Sequence, residues 1–389
     1  MSLDDDLATL PSQLRARIDE RGFRVDRLAA WASTIGKGRD ARNRLTGRVE
    51  PPADGDVVSL PAEGSAEHET LRKTGVELLA AGHVALCVLA GGMATRMGGV
   101  VKALVEALPG KTFLELRLAE QRAVERLAGR KPPLWLMTSE ATRGPIEAAL
   151  GSKNDGEHLA VFEQCVALRL DPDGRLFREA DAPADDPDHG YSVYATGHGD
   201  LPEALGKSGL LQRFLDKNKG EGFVYLANLD NLGATLDPAI IGWHAERCRA
   251  GGAKLMVEVV DKVGSDRGGV PVRWNGRRII AEEFRLPLEL DPATIRVFNT
   301  NTFLVEAASL ASAEHFDFTF VEVEKKVAGR TAIQFERLLG EITVPLEPSF
   351  LRVPREGTSS RFLPVKDNDE LARRRPEIEA VARARGFFE

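Results

Sequence analysis

Residues 83–102, HVALCVLAGGMATRMGGVVK, decide the reading of this chain. Val84, Ala85, Leu86, Cys87, Val88 and Leu89 form an unbroken apolar run with no polar alternation. Such a run fits a short strand buried on both faces, as in a parallel sheet. It ends in Gly91-Gly92, where the strand gives way to a loop whose backbone can approach a ligand closely. Glycine-rich loops of this kind turn N–H groups toward phosphate. Arg96 and Lys102 add cationic side chains suited to a polyphosphate. Neither the GxGxxG dinucleotide fingerprint nor the GK[ST] phosphate loop is present. Taken alone, the stretch is either a phosphate-binding loop or a glycine-rich turn between a strand and a helix.

The pattern repeats downstream. TFLELRLAEQRAVERLAG (112–129) has helical periodicity, and KPPLWLMTSE (131–140), GFVYLANLD (222–230), AKLMVEVVDK (253–262) and RVFNTNTFLVE (296–306) read as further buried strands. Strands alternating with helices indicate an α/β fold with a mainly parallel sheet. Such sheets bind ligands at the carboxyl ends of their strands, where the polar motifs of this chain fall. Before residue 81, LPSQLRARIDERGF (10–23) and HETLRKTGVELLAAG (68–82) read as helices, and VEPPADGDVVSLPAEG (49–64) as an irregular linker. Residues 173–200, rich in Asp, Pro and Gly, are expected to form a long loop or hairpin excursion. The tail from Asp367 is charged and helical. The expected organisation is a helical N-terminal segment (1–80), a catalytic domain (81–345) and a short C-terminal segment (346–389).

Composition narrows the class. With 389 residues the chain exceeds a single small core. Its 43% apolar content is ordinary for a soluble protein. A net charge of −7 argues against bulk nucleic-acid binding, which needs a basic footprint. The 3 cysteines, Cys87, Cys165 and Cys248, show no metal-ligand pairing and fit a reduced, cytoplasmic setting. The acidic start MSLDDDLATL has no apolar signal region, and no apolar run is long enough for a membrane span.

The stretch Leu89–Lys102 resembles the signature loop of the UDP-sugar pyrophosphorylases, LxGGxGTxMG followed by a lysine. Ala94 stands where the motif has its second glycine, and Val101 where a proline usually precedes the lysine. Further resemblances follow in collinear order over roughly residues 80–372. Phe162-Glu163-Gln164 is similar to the family's FxQ element, Thr196-Gly197-His198-Gly199-Asp200 to its PPGHGD loop, and Asn228-Leu229-Asp230-Asn231-Leu232-Gly233-Ala234 to its metal-site strand end. Glu258-Val259-Val260, Gly268-Gly269, Phe298-Asn299-Thr300-Asn301, Ile333-Gln334-Phe335-Glu336 and Ser360-Arg361-Phe362-Leu363-Pro364-Val365-Lys366 continue the series. The wording is closest to the eukaryotic-type UTP–glucose-1-phosphate uridylyltransferases.

The resemblance implies a GT-A-like, Rossmann-like fold, a mixed and mainly parallel sheet flanked by helices. It also implies transfer of UMP from UTP to glucose 1-phosphate, with N-acetylglucosamine 1-phosphate or galactose 1-phosphate as alternative acceptors. A catalytically silent UDP-sugar-binding protein is the competing reading. By the same resemblance, Leu89, Ala90, Gly91, Gly92, Gln164, Gly197 and Asn228 bind the nucleotide. Lys102, Arg96 and Lys326 (Lys325 as second choice) neutralise phosphates, His198, Asn301 and Gly269 face the sugar phosphate, and Asp230 holds Mg²⁺. Lys366 either approaches the substrate or is structural. The family's C-terminal β-helix domain is not expected after residue 366, so the expected state is a monomer or small homo-oligomer, without nucleic-acid or membrane partners.

Overall fold

The structure, a computed structural model, describes residues 3–388 apart from 184, 265, 314, 315 and 317. Its central sheet has, among the described residues, eight strands: β1 (Val57–Ser59), β2 (Val84–Leu89), β3 (Leu134–Thr138), β4 (Leu159–Glu163), β5 (Phe223–Asn228), β6 (Leu255–Asp261), β7 (Val297–Glu306) and β8 (Pro348–Arg352). They lie in the order β1-β8-β6-β7-β5-β2-β3-β4. Every neighbouring pair is parallel except the two that β7 makes, with β6 and with β5.

The strands are largely apolar because both faces are covered. Val84, Leu86 and Val88 of β2 join one core, and Ala85 and Cys87 join the other. The helices that cover the sheet or lead into it are α1 (Ser12–Glu20), α2 (Val25–Ala32), α3 (Ala66–Ala81), α4 (Phe113–Ala128), α5 (Glu140–Leu150), α6 (Leu210–Lys217), α7 (Pro238–Arg249) and α8 (Asn368–Ala384). The first core takes side chains from α3, α4, α5, α7 and α8, and the second from α6. Local signals set the helix ends. Thr112 caps α4 in a capping box with Glu115, and Gly129 closes it at φ +73°.

Two expectations need correction. Residues 49–64 are not wholly irregular: Val49–Glu50 pairs with Arg273–Trp274, and β1 extends the central sheet beside β8. Strands of two and three residues at an edge are too short to show a period. Nor were β4 and β8 among the strands read from the sequence; each has five residues, and one opens on proline. The excursion after β4 begins as a hairpin, Val166–Leu168 against Val193–Ala195.

Helices α3 and α7 cross at two glycines. A Cβ on Gly75 would lie 1.8 Å from the Pro238 carbonyl oxygen, and one on Gly242 would lie 1.9 Å from that of Leu71. Any side chain there must push the helices apart. Gly75→Ala is therefore expected to destabilise by about 1–3 kcal/mol, although alanine favours a helix. Gly144→Ala in α5, where a Cβ meets open space, is expected to be neutral or stabilising by up to ~1 kcal/mol. Urea unfolding of both variants measures the contrast.

Candidate functional site

The carboxyl ends of β2, β4 and β5 and the middle of the antiparallel β7 meet along one edge of the sheet. Gly91 is wedged there: a Cβ on it would lie 3.1 Å from Gln164 Oε1 and 3.3 Å from the Ser139 amide. The Ser139 hydroxyl donates to the Gly91 carbonyl at 2.9 Å. Leu89 accepts from the Leu229 amide at 3.2 Å and Ala90 donates to Met137 at 2.7 Å, which ties the glycine loop to β5 and β3. Asn228, the last residue of β5, accepts at its side chain from Asn301 Nδ2 at 2.8 Å. Because β7 runs antiparallel, a residue midway along it reaches that edge. Asn301 takes φ +58°, and its amide donates to the Asn299 side chain at 2.8 Å. Lys102 Nζ lies 2.7 Å from Asp230 Oδ2. Arg96 is exposed and has no hydrogen bond or ion pair among the described residues.

The two departures from the glycine-loop pattern have a backbone explanation. Met93–Ala94 pairs with Val100–Val101 as a minute ladder around Gly98 and Gly99, which take φ +92° and +74°. Ala94 has φ −77°, open to any L-residue, so no glycine is required. Val101 has φ −64°, the value that proline imposes. The valine thus keeps the proline geometry on entry to Lys102.

Three arginines hold the loop that carries Asp230. Arg117, wholly buried on α4, donates to the carbonyls of Asn228, Asn231 and Ala234 at 2.7–2.8 Å and pairs with Glu120. Arg361 is buried too. It pairs through two nitrogens with Glu258 of β6, at 2.8 and 2.6 Å, and donates to Thr235 O at 2.8 Å. Arg385, beyond α8, bonds the Gly233 carbonyl, the Thr235 hydroxyl at 2.7 Å and Ser360 O at 2.6 Å. Burial, then the charge of Arg361, brings Arg385 down to about 10. Gly233 must be glycine, since a Cβ would meet the Arg361 backbone at 2.7 Å. The SRFLPVK segment therefore has a structural part: its arginine braces the loop, and its Val365 amide lies 3.3 Å from Asp230 Oδ2. The Lys366 side chain is exposed.

Gly197 and Gly199 press on the end of the strand Arg330–Arg337; a Cβ on Gly197 would lie 2.5 Å from the Arg337 carbonyl oxygen. Buried Asp200 accepts from Thr196 at 2.6 Å and faces Arg337 Nε at 2.9 Å. Burial raises its carboxyl to about 6 despite Arg337. Its place is beneath the loop, holding it. His198 Nδ1 accepts from the Leu339 amide at 2.8 Å. Burial lowers the ring's pKa, opposed by Glu336. The ring is thus neutral with its proton on Nε2, a hydrogen-bond donor.

Lys326 does not join this group. It lies in the hairpin Phe320–Val327/Arg330–Arg337, where alternate residues face opposite sides. Lys326 shares its side with Phe320, Ile333 and Phe335, which pack on the N-terminal helices through Trp31, and bonds its cross-strand partner Thr331 at 2.8 Å. Lys325 is on the other side, 3.4 Å from Glu336, the residue whose charge acts on His198. Of the two lysines, Lys325 is the one on the side of the hairpin that carries Glu336. Gly269 lies across a ladder from Glu282, whose Oε1 would be 3.0 Å from a Cβ there.

Glu282 was not among the residues singled out from the sequence. It lines an open cavity of about 840 Å³ with Lys262, Asp266, Arg267, Gly268 and Glu283. The only signal for it was its place across from Gly269, and that needed the register. Among the described residues no cluster of three His, Cys, Asp or Glu could hold a metal. Asp230 offers one carboxylate, which suits a cation that takes its remaining ligands from phosphates and water. All three cysteines are buried and unpaired, and no helix among the described residues is long and apolar enough to cross a membrane.

Burial, then Glu283 and Glu341, holds Glu282 at about 7, against 4.5 for the free group. The folded state thus favours the protonated form. That stabilising share is complete below pH ~4.5 and is lost as pH rises through ~7. In Glu282→Gln, the fall in unfolding free energy between about pH 5 and pH 8 should shrink by on the order of 1 kcal/mol. Urea titrations at the two pH values test this; an unchanged difference would contradict it.

The sequence profile of the UTP–glucose-1-phosphate uridylyltransferase family matches residues 47–378. The UTP–glucose-1-phosphate uridylyltransferase of Encephalitozoon cuniculi is 29% identical over 338 residues, covering 83% of this chain and 63% of that protein. That of Hordeum vulgare is 29% identical, covering 73% and 59%. The chain thus spans about three fifths of the length of these curated relatives. Among solved structures, a UDP-glucose pyrophosphorylase variant from Leishmania major superposes with a TM-score of 0.70 at 22% identity, covering 93% of this chain and 79% of that one. A protein from Entamoeba histolytica, proposed to be a UDP-N-acetylglucosamine pyrophosphorylase, gives 0.65 at 20%, covering 77% and 80%. At that identity the structures establish a shared fold, a mixed α/β sheet flanked by helices. With 47–378 matched, the chain belongs to the UTP–glucose-1-phosphate uridylyltransferase family.

Proposed function

We propose that this chain transfers UMP from UTP to a sugar 1-phosphate, glucose 1-phosphate first among them, and releases pyrophosphate. The observation that carries the reading is the meeting of Gly91 with Gln164 and of Lys102 with Asp230 along one sheet edge, in a chain of this family. An oxygen of the sugar phosphate attacks the α-phosphorus in line, the bond to the bridging β-phosphate oxygen breaks, and that oxygen leaves with pyrophosphate. No nucleophilic side chain takes part; positioning and charge neutralisation carry the catalysis.

Each group has a task. The Gly91 backbone and Gln164 hold the base, and the Asn228–Asn301 pair holds hydroxyls. Lys102 and Arg96 hold the triphosphate, and Arg96 is unpaired and able to do so. His198 offers Nε2–H to the sugar phosphate and Lys325 offers charge beside it. Asp230 would hold Mg²⁺ through its carboxylate, and the ion supplies charge neutralisation on the phosphates when bound. The cavity beside Glu282 and Gly268 lies on the sugar side and sets which acceptor fits.

Pyrophosphate release from UTP with glucose 1-phosphate, galactose 1-phosphate and N-acetylglucosamine 1-phosphate tests the reading and ranks the acceptors. UTP binding without pyrophosphate from any of them would favour a silent UDP-sugar-binding protein. Lys102→Ala is expected to lower turnover by about 10²–10³-fold. Lys325→Ala is expected to lower it more than Lys326→Ala, and the reverse order would return the phosphate role to Lys326.

A further inference from the structure

Arg337 ends the strand Arg330–Arg337 and is buried, with 2% of its surface exposed. A guanidinium is costly to take out of water, so its partners matter. They come from three elements. Its Nε faces Asp200 Oδ1, in the loop of residues 196–200, at 2.9 Å. Its Nη2 donates to Glu203 Oε2, in the helix Leu201–Lys207, at 2.6 Å. Its charged end lies 4.8 Å from the ring of Phe320, its cross-strand partner. Arg27 of α2 joins the cluster, 5.3 Å from that ring and 3.4 Å from Glu203 Oε2, and Lys207 meets Glu203 at 3.0 Å. The main chain repeats the pattern. The Arg337 amide donates to Thr196 O at 2.7 Å, and a Cβ on Gly199 would lie 2.7 Å from the Arg337 carbonyl carbon. Two residues further on, the Leu339 amide donates to His198 Nδ1.

We infer that Arg337 is a positioning residue for the acceptor: it locks the loop that carries His198 to the hairpin that carries Lys325, and so fixes the spacing of two groups that meet the sugar phosphate. The inference rests on the nucleotidyltransferase reading above. A guanidinium is a rigid planar fork, so it holds Asp200 and Glu203 at set places relative to the strand end; a lysine has the charge without the fork. Without Arg337, Glu203 keeps Arg27 and Lys207, but buried Asp200 keeps only its bond from the Thr196 hydroxyl, inside the loop. The loop can then shift against the hairpin. A misplacement of about 1 Å at such a site costs on the order of 10²-fold in rate. The nucleotide side is tied elsewhere, through Gly91 with Gln164 and Lys102 with Asp230. The start of the loop stays with it, because the Thr196 amide donates to the Cys165 carbonyl, beside Gln164, at 3.0 Å. The effect of Arg337 therefore falls on His198 and on the acceptor.

A positioning role and a merely structural one separate in kinetics. Pyrophosphate release with the best of the three sugar phosphates, and UTP binding by titration calorimetry, are measured for the wild-type chain, Arg337→Gln, Arg337→Lys, His198→Leu and the double variant His198→Leu/Arg337→Gln. In Arg337→Gln, kcat/KM for the sugar phosphate should fall about 10–100-fold while the Kd of UTP stays within about 3-fold. Arg337→Lys should restore the melting temperature more than the rate. In the His198→Leu background, Arg337→Gln should cost less than about 3-fold more, because its effect passes through His198. Circular dichroism and melting check the fold. If Arg337→Gln is unfolded, Asp200→Asn/Arg337→Gln, which leaves no charge stranded at Asp200, replaces it with the same expectations. Additive losses in the double variant, or a UTP affinity that falls in parallel with the acceptor rate, would overturn the inference while leaving the enzyme reading intact. A wild-type chain that forms pyrophosphate with none of the sugar phosphates would overturn the reading on which it rests.

Discussion

The burial of three guanidinium groups beneath one loop is the constraint on which the site depends. Residues 228–236 leave β5 with carbonyl groups that no strand partner satisfies, and buried carbonyls must be paired. Arg117, Arg361 and Arg385 supply the donors, from α4, from the SRFLPVK segment and from the end of α8. Each arginine is costly to bury, so Glu120 and Glu258 accompany two of them. Removing one partner of such a pair leaves an uncompensated charge, at roughly 3–5 kcal/mol. Segments far apart in sequence are thus forced to agree on the place of Asn228 and Asp230.

A second tie runs along the other side of the site. The Arg21 carbonyl accepts from Val166, beside Gln164, and the Arg21 side chain pairs with Glu163 and Glu140. Trp31 stacks on Phe335 at 5.1 Å and tilts against Phe320 at 4.1 Å. Arg42 pairs with Glu322, and Leu45 donates to the Arg285 carbonyl at 2.7 Å. One stretch, residues 21–45, therefore touches the segment beside Gln164, the hairpin with Lys325, and Arg285 next to the cavity-lining Glu283 and Phe284. The polar, helical look of this segment in the sequence gave no hint of such a role.

What could be read in advance follows from range. The long buried strands announce themselves because both faces are covered, and the ordered polar motifs at their ends mark the candidate site. That Gly91 meets Gln164, and Lys102 meets Asp230, was legible for that reason. The choice between Lys325 and Lys326 was not, because it turns on the face of a hairpin and so on the register of Lys325 with Ala332. Glu282 was hidden likewise by the ladder that sets it opposite Gly269. Ala94 and Val101 looked like defects in a pattern of letters. Their φ values of −77° and −64° show that Ala94 is unstrained and that Val101 keeps the φ a proline would impose.

The aromatic stack on the hairpin has a mechanical side. Phe320, Ile333 and Phe335 bury their apolar faces against Trp31 and its neighbours in one continuous core. To lift the hairpin alone would expose that core to water, so the hairpin and the N-terminal helices travel as one body. Any displacement of the strands that carry Lys325 therefore has to carry α1 and α2 with it.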